Sequence, residues 1–385
     1  MAENSFASAN THFAAKLFGE ITAHQPQQNM LISPLSIGLA LLLAHAGAAG
    51  ATAQAIADVL ALGPGPHDHA MTEAGALMRQ LGALDTGEGG GKAAMLLRIA
   101  NALFVNTDVA LNATYARRCR AMLEAEIAAL DFGAPNAAAT IDRWVSERTR
   151  GRIDEIAGQL DRRTVAVLLN AVYFKAAWQL PFLEQATRPD QFNCADGQQI
   201  SVPMMANQDR YLYQRADGFE VVGLPFRGAG DLRLLVLLPS RGRPISALQQ
   251  QLATPAAWAS IAPRPALVRL RMPRFRIACD LQLNEPLAAL GMGVAFDPTR
   301  ADFSAMRTSK LPFAISEVRH KTYLDVNEHG AEAAAVTAIK MTRMSMVVER
   351  PIDVTVDRPF VCAIQAAQSS ALLFVGSIAS PRVLL

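Results

Sequence analysis

Few groups of residues in this chain have the types and spacing that chemistry needs. Gly87-Glu88-Gly89-Gly90-Gly91-Lys92 resembles a phosphate-binding loop in composition. Position 86 is Thr where such a loop needs its first glycine, and Ala93 stands where the metal-binding hydroxyl belongs, so the run reads as a surface loop. His67-Asp68-His69 offers donors to a metal. It stands in a Gly/Pro stretch with no third ligand nearby, so it too reads as a loop. Ser33, Ser36 and Ser345 are nucleophile types and His320 is a base type. No G-x-S-x-G, H-E-x-x-H or G-x-G-x-x-G after a strand accompanies them. Cys119, Cys194, Cys279 and Cys362 lie far apart, which gives no zinc spacing. They read as reduced, inert thiols, with a single bridge left open.

One stretch has a different character. Glu328-His329-Gly330-Ala331-Glu332-Ala333-Ala334-Ala335-Val336-Thr337-Ala338 is built almost wholly from small residues. It opens a run of some twenty residues between two strand candidates, Lys321–Val326 and Ile352–Val356. A loop that long is expected to be functional or disordered. At period two, Ala331, Ala333, Ala335 and Thr337 share one face, and Glu332, Ala334, Val336 and Ala338 share the other. The first face carries nothing bulky and could be buried between two strands. The segment therefore suits two states, an exposed loop and an inserted strand, beside the plainer reading of an alanine-rich helix.

The elements that must position it follow an α+β pattern. Residues 6–84 read as helices interrupted at Pro34 and at the loop 63–69. Leu96–Val105 reads as a strand, Asn112–Ala129 as a helix carrying Arg117, Arg118 and Arg120 on a solvated face, and Ala137–Thr149 as another helix. Val165–Phe174 is apolar on both faces, as a central strand in a covered sheet would be. Asp231–Pro239, Leu267–Phe275, Phe360–Ala366 and Leu372–Ile378 are further strands, and Ile245–Leu252 and Leu283–Leu290 are helical patches. Helices come first and strands later, with no regular βαβ alternation and no low-complexity linker.

Composition sets the limits. The 385 residues are 51% apolar and 18% charged, with a net charge of +2. That supports a large core and gives no electrostatic reason to expect nucleic acid or an anionic membrane as a partner. The run Ile21–Ala57 is uncharged, and within it Leu31–Ala57 has the hydropathy of a membrane span. Its serines, glycines, Pro34 and His45 argue instead for a helix buried in a soluble core. No signal-peptide pattern opens the chain. Asn112-Ala113-Thr114 matches a glycosylation sequon at the level of chance. The richness in Ala and Arg suggests a GC-rich prokaryotic source.

Several blocks carry a family resemblance, and in family order. The run from Glu328 to Ala338 resembles the hinge of the reactive-centre loop of serpins, the serine protease inhibitor family. Asn29-Met30-Leu31-Ile32-Ser33-Pro34-Leu35-Ser36-Ile37, Leu169-Asn170-Ala171-Val172-Tyr173-Phe174-Lys175-Ala176-Ala177-Trp178 and Met272-Pro273-Arg274-Phe275 resemble serpin segments as well. So do Ala301–Met306, Arg358-Pro359-Phe360 and Leu373–Ile378.

This resemblance implies the metastable serpin fold: one domain over 1–385, three β-sheets, eight or nine helices and an exposed reactive-centre loop at about 328–350. It implies an inhibitor rather than an enzyme, attacked as a suicide substrate and trapping its protease by inserting the loop into the central sheet. Glu328, Gly330, Ala331, Glu332, Ala333, Ala334, Ala335, Val336 and Thr337 would form the hinge. Ser33, Ser36, Asn170 and His320 would form the shutter, a hydrogen-bonded cluster that must part for insertion. Trp178 and Arg274 would line the breach where the loop enters, with Arg274 salt-bridged to Glu328 in place of a common lysine. Ala331 stands where many members have Thr or Ser.

Inhibitory members place the cleaved bond seventeen residues on, counting the hinge glutamate, which lands on Met344-Ser345. A shift of one gives Arg343-Met344, and counting back from Pro359 points towards Val347 or Val348. Methionine suits an elastase-like or chymotrypsin-like serine protease, and arginine a trypsin-like or subtilisin-like one. Some members take cysteine proteases, and others are non-inhibitory binding proteins or chaperones. A hinge with no proline and only one charge favours inhibition. No cofactor, metal or clear heparin site is implied. Family habit favours an extracellular or periplasmic setting, with a cytoplasmic one left open.

Overall fold

The computed structural model describes residues 5–63, 67–84, 95–308, 312–331 and 349–381. The expected reactive residues Arg343, Met344 and Ser345 lie outside the described residues. So do the hinge positions Glu332, Ala333, Ala334, Ala335, Val336 and Thr337, and the glycine-rich run 85–92.

Nine α-helices occur among the described residues: α1 (Phe6–His24), α2 (Pro34–Gly47), α3 (Gly50–Val59), α4 (His67–Gly82), α5 (Ala113–Leu123), α6 (Ala137–Thr149), α7 (Ile245–Leu252), α8 (Pro255–Ala259) and α9 (Asn284–Leu287). Residues of α2 are buried along its whole length. That burial explains the membrane-like hydropathy, and no helix among the described residues is long and apolar enough to cross a membrane. Pro34 does not interrupt a helix. It starts α2, where a missing N–H costs nothing. The helix expected over Asn112–Ala129 is shorter. Asn112 caps α5 by accepting from the N–H groups of Thr114 and Tyr115, and Glu124 ends it in the left-handed region at φ 52°. The pair His67 and Asp68 opens α4 rather than lying in a loop, and His69 reaches Glu73 at 3.4 Å.

The strands are β1 (Met30–Ile32), β2 (Leu96–Asn106), β3 (Glu126–Leu130), β4 (Ala166–Ala177), β5 (Arg188–Asn193), β6 (Gln199–Ala216), β7 (Phe219–Pro225) and β8 (Leu232–Pro239). They continue with β9 (Arg264–Pro273), β10 (Phe275–Gln282), β11 (Glu317–Asn327), β12 (Gly330–Ala331), β13 (Ile352–Thr355), β14 (Phe360–Ala366) and β15 (Leu372–Ile378). The single strand expected over Leu267–Phe275 is two, divided at Arg274.

One sheet has the order β10-β11-β12-β4-β2-β3. The other strands form a second network in which β6 is shared. On one side of that shared strand lies β5-β6-β9-β13, and on the other β6-β7-β8-β14-β15-β1. Counted this way there are three sheets, as the family resemblance implied.

Two cores sandwich the six-stranded sheet, which is why β4 reads as apolar on both faces. Leu168, Val172 and Phe174 face the main core with α2. Val167, Leu169 and Ala171 face a smaller one with Ile141 and Val145 of α6 and with Ile153, Ile156 and Ala157 beyond it. The segment after α6 also spans from β4 to β11. The Arg152 guanidinium lies over the Tyr173 ring at 6.0 Å, and Lys321 Nζ donates to the Glu155 carbonyl at 2.6 Å.

Candidate functional site

The two strands at the middle of this sheet pair only part of the way. β4 and β11 run parallel from Val167↔Glu317 to Tyr173↔Tyr323. Above that point they diverge, and β12 lies between them. Gly330 and Ala331 pair with Ala177 and Ala176 of β4 on one side, and with Asn327 and Val326 of β11 on the other. Both pairings are antiparallel, so β12 is the first step of a strand that splits the sheet. Gly330 is required there. Its φ is 155°, and a Cβ would stand 2.1 Å from the Ala176 carbonyl oxygen.

The backbone of the turn leading into β12 is gripped by the segment following β4. The Trp178 indole N–H donates to the Asn327 carbonyl at 2.8 Å, and its backbone N–H donates to the His329 carbonyl at 2.8 Å. The backbone N–H of Phe182 donates to the Glu328 carbonyl at 2.9 Å. Trp178 itself stacks on Phe226 at 4.8 Å. The Glu328 carboxylate is buried. Arg274 reaches its two oxygens at 2.6 and 2.7 Å, and the Thr187 hydroxyl donates at 2.7 Å. Burial alone would raise this carboxyl, but the hydrogen bonds from Arg274 and Thr187 outweigh it and hold the group below the usual range. One guanidinium nitrogen makes both contacts, while the buried Nε of Arg274 has no partner. The arginine thus acts as a single donor point, as a lysine would. His329 adds a contact to Glu184 at 2.7 Å.

Lower on the same seam, on the face turned to α2, four of the expected residues meet. His320 of β11 and Asn170 of β4 are register partners, and Asn170 is also the partner of Asn101 on β2. Three polar side chains therefore form one row across three adjacent strands. The His320 Nε2 accepts the Ser33 N–H at 2.9 Å, so the proton sits on Nδ1, which donates to the Asn170 Oδ1. The Asn170 amide donates to Ser36 Oγ and to Asn101 Oδ1. The Ser33 hydroxyl caps α2 by accepting the Ser36 N–H at 3.4 Å. Thr322, two residues along β11, donates to the Leu31 carbonyl at 3.0 Å.

This cluster cannot do acid–base work. His320 is fully buried and both its nitrogens are engaged, and burial pushes its pKa down to about 3, so it is neutral. The cluster can hold strands. Its bonds tie β4, β11 and β2 to the start of α2, and the one between His320 and Asn170, which crosses from β11 to β4, must be exchanged if those strands part.

The structure thus brings Ser33, Ser36, Asn170 and His320 into one cluster, and Trp178, Arg274, Glu328, Gly330 and Ala331 into another. Asn101, Thr187 and Thr322 belong with them and were missed. Asn101 left a signal, as an amide inside the otherwise apolar stretch Ile99–Val105 of β2. Thr187 stands in an irregular stretch and left none. Arg118 and Arg120 lie on no purely solvated face. Arg118 meets Asp68 at 2.9 Å, and Arg120 donates to the Ile127 carbonyl. All four cysteines are free thiols.

Comparison with known proteins agrees with this architecture. The family described as Serpin (serine protease inhibitor) matches residues 8–381. Leukocyte elastase inhibitor of Bos taurus is 34% identical, covering 97% of this chain and 99% of its own length. Serpin-Z1A of Triticum aestivum is 33% identical, covering 96% and 95%. The native-state crystal structure of a thermophilic serpin, Tengpin, superimposes with a TM-score of 0.87 at 27% identity over 97% of this chain and 94% of that one. The chain belongs to the serpin family.

Proposed function

We propose that this serpin is a single-domain suicide inhibitor of serine proteases, with a reactive-centre loop at about 328–350. The observation that carries this reading is β12. The chain after Asn327 already enters the sheet between β4 and β11, and the residues that follow it, from Glu332 to Thr337, are small enough to continue.

In this reading the protease's own serine attacks the carbonyl of Met344, the peptide bond to Ser345 breaks, and an ester joins the two proteins. The freed strand extends β12 down the seam faster than water hydrolyses the ester. The inhibitor supplies bait and stored conformational energy, and its His320 takes no part in the chemistry. Cleavage at Arg343-Met344 is the second reading, supported by the basic side chain one residue upstream. An elastase-like or chymotrypsin-like target goes with the first bond, and a trypsin-like or subtilisin-like target with the second. The prokaryotic source rests on composition alone, since the relatives named above include a plant and a mammal.

The test is to mix the protein separately with an elastase-like, a chymotrypsin-like and a trypsin-like protease. A band at the summed mass that survives denaturation, with a released peptide beginning at Ser345, is the expected result. Release beginning at Met344 selects the second bond. Nicking by every protease, with no complex and no gain in heat stability, overturns inhibition and leaves a binding protein or chaperone.

A further inference from the structure

The far end of the loop has its own anchor. β13 pairs with β9 from Ile352↔Val268 to Thr355↔Arg271. The ladder cannot be carried one residue further back by a backbone donor, because Pro351 has no N–H. Glu349, two residues earlier still, is nevertheless held. Its carboxylate accepts from the Arg210 guanidinium on β6 at 2.6 Å. A second pair lies beside it. Arg269 of β9 donates to Asp353 at 2.8 Å and to Gln208 of β6 at 3.1 Å. Two acids on either side of Pro351 are thus tied to arginines on two neighbouring strands.

We propose that Arg210 is a positioning residue: through Glu349 it sets where the protease-accessible interval ends, and so removes the bonds after Val347 and Val348 from the choice of cleavage site. The inference rests on the reading of 328–350 as the attacked loop. A protease cleft takes its substrate as an extended strand, over about four residues on each side of the bond. With Glu349 held on the body, four residues, 345–348, separate it from Met344 in the sequence, which is just enough. Arg343-Met344 is also within reach. A bond after Val347 or Val348 would need Glu349 and Pro351 inside the cleft. The pin therefore biases the target towards proteases that accept methionine or arginine and away from those that need valine.

The test is a cleavage map, which does not depend on inhibition. An elastase that accepts both methionine and valine is applied at trace level, and the C-terminal fragments are weighed. Wild-type protein is expected to give fragments beginning at Ser345. In R210A and E349Q, fragments beginning at Val348 or Glu349 should gain about threefold to fivefold. A larger effect is not expected, because Arg210 is 63% and Glu349 45% exposed. High salt should mimic the variants. The charge swap R210E with E349R should restore the wild-type pattern, which a merely structural role would not do. The same valine-site cutting in wild type and R210A, or a swap that restores nothing, overturns the inference. No cutting anywhere in 332–348 would instead overturn the reading of the loop itself.

Discussion

At the scale of single residues, the turn before β12 and the polar row around His320 make opposite use of burial. Glu328 is buried and charged, and hydrogen bonds from Arg274 and Thr187, together with its own backbone N–H, compensate it. Replacing Arg274 by Ala should loosen the turn before β12 by about 1–3 kcal/mol, the cost of leaving a charged acceptor short of a donor. Arg274→Lys should be close to neutral, because one nitrogen does all the work. Hydrogen exchange at Gly330 and Ala331 reads both, and equal loss of protection in the two variants would refute the single-donor account. His320 is buried and uncharged instead. The unfolded imidazole takes a proton near pH 6.5, while the folded one resists until about 3. Its contribution to stability is therefore complete above pH 6.5 and is lost as pH falls towards 3, at about 1.4 kcal/mol per pH unit. His320→Gln should flatten the denaturation profile between pH 6 and 4 by one proton relative to wild type. Parallel profiles would mean that His320 gains its proton before unfolding.

At the scale of elements, the seam has a cover. The Asp142 carboxylate of α6 accepts the N–H groups of Ile156 at 2.7 Å and Ala157 at 2.9 Å, fixing the segment that bridges β4 and β11. Asp142→Ala should release two part-buried donors and destabilise that segment by about 1–3 kcal/mol, whereas Asp142→Asn keeps an acceptor and should cost less. Exchange rates at Ile156 and Ala157 would decide, and unchanged rates in the alanine variant would show that Ile153, Ile156 and Ala157 are held by packing alone. Elements with strong periodicity or apolar runs were legible in the sequence: α6, α7, β14 and β15 fall where their patterns put them. Elements whose cause is tertiary were not. β1 is three residues paired to β15, and β5 and β6 are half-exposed strands that alternate too weakly to stand out. The end of α5 at Glu124 and the division at Arg274 are single-residue backbone events inside otherwise continuous patterns. For the site, residue types and family resemblance named both clusters, but not Asn101, which stands out as an amide in an apolar stretch and whose partners follow only from sheet register. β12 could be anticipated as a capacity of small residues and not as a place already occupied.

At the scale of the whole molecule, the described state is not the lowest one the pairing rules allow. β4 and β11 share seven parallel register pairs, and β12 enters above them. Extending β12 antiparallel past Ala176 would bring residue 340 opposite Val167. Successive residues of that strand would bond alternately to β4 and β11, each through its N–H and its C=O. The parallel bonds given up are fewer, so the net gain is about ten hydrogen bonds at roughly 1 kcal/mol each. The intact loop is opposed in this by its own far end, which β13 and Glu349 hold on another sheet. Cutting between residues 332 and 348 removes that tether and leaves the chain connections of the described residues intact. Nicked protein should therefore melt on the order of 10–20 °C above the intact chain, given the shift per kcal/mol expected for a domain of this size. Differential scanning calorimetry before and after a single cut measures it. A fall or no change would mean that the seam cannot accept the strand, and that β12 is a fixed two-residue bridge rather than the start of insertion. A rise that is abolished by replacing Thr337 with arginine would assign the gain to burial of residues 332–337 between β4 and β11.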